Sequence, residues 1–169
     1  MSETYELQDC TFYDPLTSTP KNNWIIDTGM SISSDSTGTT ISGSTTKYMK
    51  LQVDLTNFEM EWDYISGSGG TPIGIQTWKG STWVCYGTYN NTESRYVLEG
   101  TSKVYRSTSL KSNATYKYTV NNGTHSWYVD DELIQSVSAK SGSGTFYIGV
   151  YVSANCTSQK LKNVKIKPL

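Results

Sequence analysis

Charge, proline and histidine are all scarce in this sequence: Asp, Glu, Lys and Arg together make up 17% of its 169 residues, beside four prolines and one histidine. So little charge is poor material for surface helices, and helix is expected to be rare. The formal net charge is −1, and the lysines and arginines form no basic stripe. A nucleic-acid partner is therefore not expected. No apolar run approaches the roughly 20 residues that cross a bilayer, so membrane insertion is not expected either. Met1-Ser-Glu-Thr shows neither the basic segment nor the apolar stretch of a secretory leader. A role outside the cell then implies one of two routes: a piece of a larger secreted protein, or a component of an assembled particle such as a virion. Cys10, Cys85 and Cys156 are an odd number without CxxC spacing, which implies neither a zinc site nor a full disulfide framework and leaves a Cys10–Cys156 bridge open.

What is abundant is Ser, Thr, Gly, Asn and Tyr, a mixture that suits pleated, half-exposed strands joined by polar turns. The length fits one domain spanning residues 1–169, with 1–10 as a candidate flexible N-terminal segment. Sequons at Asn90, Asn113, Asn122 and Asn155 suit a glycosylated surface protein, although a chain this rich in Ser and Thr yields roughly two by chance.

Short runs of alternating hydrophobicity recur between polar turns, the spacing of an antiparallel β-sandwich. Strands are expected at Thr11–Tyr13, Trp24–Ile26, Met30–Ile32, Thr39–Ser42, Lys47–Val53, Thr145–Val152 and Leu161–Leu169. In the run from Phe58 to Tyr64, Phe58, Met60, Trp62 and Tyr64 share one face and Glu59, Glu61 and Asp63 the other. A hairpin is expected to pair Trp78 with Trp83, Gln76 with Cys85 and Gly74 with Gly87, with Ile73, Ile75, Val84 and Tyr86 turned to the core. Between Tyr116 and Val137, turns at Asn121–Thr124 and Asp130–Glu132 join three strands in a meander. Trp24, Trp62 and Trp127 are expected in the core. His125, beside a turn, is expected at the surface.

Three stretches resemble the concanavalin A-like lectin and glucanase superfamily, especially its laminin-G-like branch. These are Tyr118-Thr-Val-Asn-Asn-Gly-Thr-His-Ser-Trp-Tyr-Val-Asp-Asp-Glu-Leu-Ile, Asn57-Phe-Glu-Met-Glu-Trp-Asp-Tyr and Leu161-Lys-Asn-Val-Lys-Ile. The resemblance implies an all-β, two-sheet antiparallel sandwich of the concanavalin A-like jelly-roll kind, its last strand lying near the N-terminus. Asp131 stands where the family usually has Gly, which calls for a different turn geometry.

The resemblance also sets a test for catalysis. A retaining glucanase of this superfamily carries Glu-x-Asp-x-(x)-Glu on one strand, because its two carboxyl groups lie about 5 to 5.5 Å apart. Here Glu61-Trp62-Asp63 is followed by Tyr64, Ile65 and Ser66, with no second Glu. No catalytic residue and no enzymatic activity are therefore expected, and a glycoside hydrolase with an atypical site is the third choice. The acidic row on Glu59, Glu61 and Asp63 is either a solvated sheet face or a set of acceptors for sugar hydroxyls.

Aromatic faces stack on the C–H face of a pyranose. Trp78, Trp83 and Gln76, joined by Glu61 and Asp63, are accordingly the candidate ligand-binding residues, although facing tryptophans at a hairpin end also pair simply to fix the turn. No metal site or cofactor is predicted. Calcium stays open at loop oxygens such as Asp14, Asp27, Asp130 and Asp131. The leading expectation is a non-catalytic, lectin-like module that binds glycans or a cell-surface receptor in adhesion. The runner-up is a structural or receptor-binding domain of a viral or phage appendage, which would form an oligomer. Either acts extracellularly, at a cell surface or on a virion.

Overall fold

Alternation along the sequence is realised as strands. The computed structural model describes residues 10–68, 76–79, 82–90, 93–99, 103–108, 111–138, 146–154 and 157–169, with side chains at 10–67, 111–136, 138, 146–154 and 157–169. The first strands are β1 (Phe12–Asp14), β2 (Ile25–Ile26), β3 (Ser31–Asp35), β4 (Gly38–Ser42), β5 (Lys47–Val53) and β6 (Phe58–Ser68). There follow β7 (Gln76–Lys79), β8 (Thr82–Asn90), β9 (Glu93–Glu99), β10 (Lys103–Thr108) and β11 (Ala114–Asn121). The chain closes with β12 (Thr124–Val129), β13 (Glu132–Ser138), β14 (Phe146–Val152) and β15 (Ser158–Pro168). Among the described residues there is no helix, and so none able to cross a membrane.

Two antiparallel sheets form the sandwich. One has eight strands in the order β13-β12-β11-β6-β15-β4-β3, with β1 paired to β15 beside β4; the other has seven, β10-β9-β8-β7-β14-β5-β2. The closing strand does lie against the N-terminal one, with Phe12 opposite Ile166 and Asp14 opposite Val164.

The core lies between the sheets and is heavily aromatic. Phe58, Met60, Trp62 and Tyr64 of β6 all point inward, as do Tyr116 and Tyr118 of β11 and Trp127 of β12. Trp62 stacks on Tyr116 with centroids 5.9 Å apart and meets Trp127 edge-on at 5.6 Å. Phe58 reaches across to Phe146 of the other sheet, also at 5.6 Å. Burying each such side chain is worth about 1.5–3 kcal/mol, several times an exposed ion pair, so this layer sets the fold. Trp24 is buried too.

His125 departs from expectation: it is 1% exposed. It shares a strand face with Trp127, which carries it inward despite the adjacent turn. Its Nδ1 shares a hydrogen bond with the Tyr118 hydroxyl, and its ring lies 6.2 Å from that of Phe146. In β5 the inward set is Met49, Leu51 and Val53, so Tyr48 belongs to the outer face. Strands β9 and β10 were not anticipated.

The β7–β8 hairpin keeps the expected pairing of Trp78 with Trp83, but beyond it Thr77 lies opposite Cys85 and Gln76 opposite Tyr86. A bulge between Thr77 and Trp78 absorbs one extra residue on β8, shifting the remaining register. Tyr86 thus pairs with Gln76, while the side chains of Val84 and Tyr86 lie outside the described residues. Ile73, Gly74 and Ile75 lie outside the described residues.

The meander turns are both of the tight two-residue kind. Asn122 and Gly123 have φ of 47° and 77°, and Asp130 and Asp131 have 48° and 64°, the left-handed pair that matches strand twist in a hairpin. The Asp-Asp turn therefore adopts the usual geometry rather than a different one. Asp130 makes it tenable by accepting from Thr115 N at 2.9 Å and from Lys111 Nζ, and Lys111 first, then that N–H, hold its carboxyl below the ordinary range.

Asp14 organises the Pro-bearing loop that follows β1. Its carboxylate, 3% exposed, accepts from Leu16 N at 3.0 Å, Lys21 N at 2.9 Å and Trp24 Nε1 at 2.9 Å. Leu16, at φ 52° and fully buried, is further held by Thr39 Oγ1, which donates to its carbonyl at 2.6 Å.

Two outcomes are expected. Asp14→Ala strands three donors and should cost about 3 kcal/mol or more in urea unfolding, with Asp14→Asn falling between it and the parent. Asp131→Gly relieves a left-handed side chain and should leave stability unchanged or raise it by up to about 1 kcal/mol, whereas Asp131→Val should lower the melting temperature.

Candidate functional site

Each sheet presents an outer face, and the two faces differ in chemistry. On the eight-stranded sheet, Glu59, Glu61 and Asp63 of β6 stand opposite Lys167, Lys165 and Lys162 of β15 on one side and Thr119, Lys117 and Thr115 of β11 on the other. Lys167 Nζ lies 3.0 Å from Glu59, Lys165 Nζ 3.4 Å from Glu61, and Lys117 Nζ 4.0 Å from Glu59 and 2.6 Å from Asp131. Both oxygens of Asp63 are engaged, one by Thr115 Oγ1 at 2.9 Å and the other by Asn163 Nδ2 at 2.7 Å. Asn163, at φ 53°, sits in the β15 bulge, where its Oδ1 accepts from Tyr13 OH and its N–H donates to Pro15 O. The acidic row is thus laced into the sheet by cross-strand pairs.

Burial works to lower the pKa of Lys117, and the Asp131 hydrogen bond, reinforced by the Glu59 and Glu61 charges, outweighs it and raises it. The Glu59 hydrogen bond raises Lys167 in the same way.

The loop acids considered for calcium are dispersed. Asp14 is committed to its own loop, Asp27 Oδ2 accepts from Tyr48 N at 2.9 Å, and Asp130 and Asp131 face Lys111 and Lys117. Among the described residues no three His, Cys, Asp or Glu side chains come together to hold a metal ion. Cys156, and with it any Cys10–Cys156 pairing, lies outside the described residues.

The seven-stranded sheet carries the other candidates. Its register sets Gln52 of β5, Tyr147 of β14, Trp78 of β7 and Trp83 of β8 in one row across four strands. The next row runs Lys50, Gly149, Gln76, Tyr86. Side chains of Gln76, Trp78 and Trp83 lie outside the described residues. Tyr147 is half-buried, with Lys50 Nζ 5.5 Å from its ring centre, while Tyr151 at the end of β14 is buried against Tyr48. The five sequence-derived candidates therefore divide: Gln76, Trp78 and Trp83 in one sheet, Glu61 and Asp63 in the other. Tyr147 was overlooked, although its alternation against Phe146 and Ile148 already set it on an outer face.

The lysine–carboxylate ladder has a pH signature. A raised lysine pKa gives stability that is fully present below the unfolded value of about 10.5 and lost as pH rises through the folded value. Urea midpoints should fall above about pH 10, and Glu59→Gln should make that fall shallower than in the parent.

No protein-family model and no curated protein sequence matches the chain. Solved structures do. The carbohydrate-binding module CBM66 of Bacillus subtilis is similar at 13% identity and TM-score 0.60, covering 86% of this chain and 95% of that one. The carbohydrate recognition domain of Emp47p is similar at 18% identity and TM-score 0.61, covering 93% and 95%. A Bacillus licheniformis β-glucanase is similar at 12% identity and TM-score 0.62, covering 94% and 98%. Identities this low speak for the fold alone. With its two antiparallel sheets, closing strand and meander, the chain has the concanavalin A-like jelly-roll fold.

Proposed function

We propose that the chain is a non-catalytic carbohydrate-binding module whose glycan lies on the outer face of the seven-stranded sheet. The observation that carries this is the transverse row Gln52, Tyr147, Trp78, Trp83. Three adjacent aromatic positions across neighbouring strands make a platform for pyranose rings, and a glutamine at one end supplies a donor and an acceptor for hydroxyls. Gly149, between Lys50 and Gln76 in the next row, adds no side chain to block a ligand lying flat.

Two of the similar structures are by name carbohydrate-binding, which agrees with this reading, and the glucanase keeps hydrolysis as its rival. The described carboxylates of β6 argue for binding. Each is engaged by a lysine or by Thr115 and Asn163, which leaves no open pair of acids flanking a cleft. On this reading the chain acts where glycans are displayed, outside the cell or on the surface of a particle.

The test is a glycan-array screen followed by calorimetry on the parent, on Tyr147→Ala and on the Trp78→Ala, Trp83→Ala double variant, with folding checked by thermal melting. Losses in affinity of about fivefold for folded Tyr147→Ala and about 30-fold for the folded double variant are expected, since aromatic contacts of this kind are worth about 1 kcal/mol each. Undiminished binding by the double variant would move the site elsewhere, and release of reducing ends from a bound glycan would overturn the non-catalytic assignment.

A further inference from the structure

The outer face of the eight-stranded sheet carries a feature that the proposed site does not use. Across β6, β11, β12 and β13 the register aligns Glu59, Thr119, Ser126 and Ser136 in one transverse row. The three hydroxyl residues are short, and the rows to either side are taller. Lys117 and Tyr128 form one wall, with Lys117 Nζ 5.0 Å from the Tyr128 ring centre; Asn121, Asn122 and Leu169 form the other. The result is a trough of about 460 Å³, within the usual range of small-ligand pockets.

One side chain on its floor is open to a ligand. Thr119 is 8% exposed and lines the trough, and its hydroxyl, which no hydrogen bond among the described residues engages, is not sealed from solvent. Ser126, beside it, is paired with Ser136 at 2.9 Å. A hydroxyl that the protein leaves unengaged and open to the trough is free to bond a ligand's hydroxyl in place of water.

We propose that this trough is a second saccharide site, on the opposite sheet from the first and independent of it. The lining offers what a neutral polyhydroxyl ligand needs: hydroxyls that donate and accept, the Asn121 and Asn122 amides, the Glu59 carboxylate as acceptor and the edge of the Tyr128 ring. Lys117, the lysine on its wall, is already matched by Asp131 and Glu59, so the trough has no surplus positive charge with which to select an anionic ligand. A chain lying in it would run across the strands. Two sites on opposite faces would let one molecule bridge two glycans, with the gain in avidity that bivalency brings.

The test uses the whole chain, ¹⁵N-labelled, titrated with hexasaccharides of β-1,4-glucose, β-1,3-glucose and β-1,4-N-acetylglucosamine. Amide shifts are expected at Thr119, Ser126 and Ser136 with at least one of these probes, and they should persist in the Trp78→Ala, Trp83→Ala variant. Thr119→Val keeps the β-branched shape and removes only the hydroxyl; it should melt no lower than the parent while weakening the trough affinity about three- to tenfold. Ser126→Trp, which fills the trough, should abolish those shifts and leave the shifts around Tyr147 intact. No trough shifts with any probe at saturation would overturn the proposal, as would equal affinity of the Thr119→Val protein or shifts that survive Ser126→Trp in a folded protein. Shifts confined to the Tyr147 face would sustain the first site and reject this one.

Discussion

Strand β6 is under a double constraint that the eight-stranded sheet depends on. Both its edges are paired, to β11 from Phe58 to Tyr64 and to β15 along its whole length. Its faces must therefore satisfy opposite demands at a strict period of two. Phe58, Met60, Trp62 and Tyr64 fill the aromatic layer between the sheets, while Glu59, Glu61 and Asp63 meet lysines and threonines of both neighbours. A slip of one residue would bury three carboxylates and expose four large apolar groups, so the register is fixed by the core and the charge ladder together.

That arrangement divides labour between the two faces. Carboxylates of β6 on the eight-stranded sheet are occupied with holding strands together, each engaged by a lysine or by Thr115 and Asn163. On the seven-stranded sheet the central strands instead align the positions Tyr147, Trp78 and Trp83 in register, the row on which the proposed glycan site rests. The ionic ladder and the proposed aromatic platform thus belong to separate sheets.

Much of this was legible in the sequence, because period-two alternation reports directly on strands and faces. The run Phe58–Tyr64, the span Lys47–Val53 and the Asn122-Gly123 turn are all found as read. What alternation does not report is which strands become neighbours. Glu61 and Asp63 could be grouped with Trp78 and Trp83 on chemistry, yet they lie in different sheets, since sheet membership is decided by pairings distant in sequence. The bulge in the β7–β8 hairpin was invisible for a related reason: an extra residue leaves each strand's composition unchanged and alters only the pairing. Strands β9 and β10 went unread although Tyr96-Val-Leu98 and Val104-Tyr105 are β-rich, because short apolar runs without clear alternation do not declare their structure. His125 misled through its proximity to a turn, where parity with Trp127 was the better guide, and Thr119 drew no notice because an unpartnered hydroxyl is a property of three dimensions.

The antiparallel pairing of β1 with β15 has a mechanical consequence. With Phe12 opposite Ile166, the start of one strand and the end of the other leave the sheet from the same side. Tension applied between these two ends runs across the strands and loads the backbone bonds one after another, as a zipper opens, instead of shearing them all at once. The three residues of β1 would peel away first, taking with them the carboxylate of Asp14 that anchors the following loop, so under load the domain would yield at a defined place while the aromatic layer stays closed.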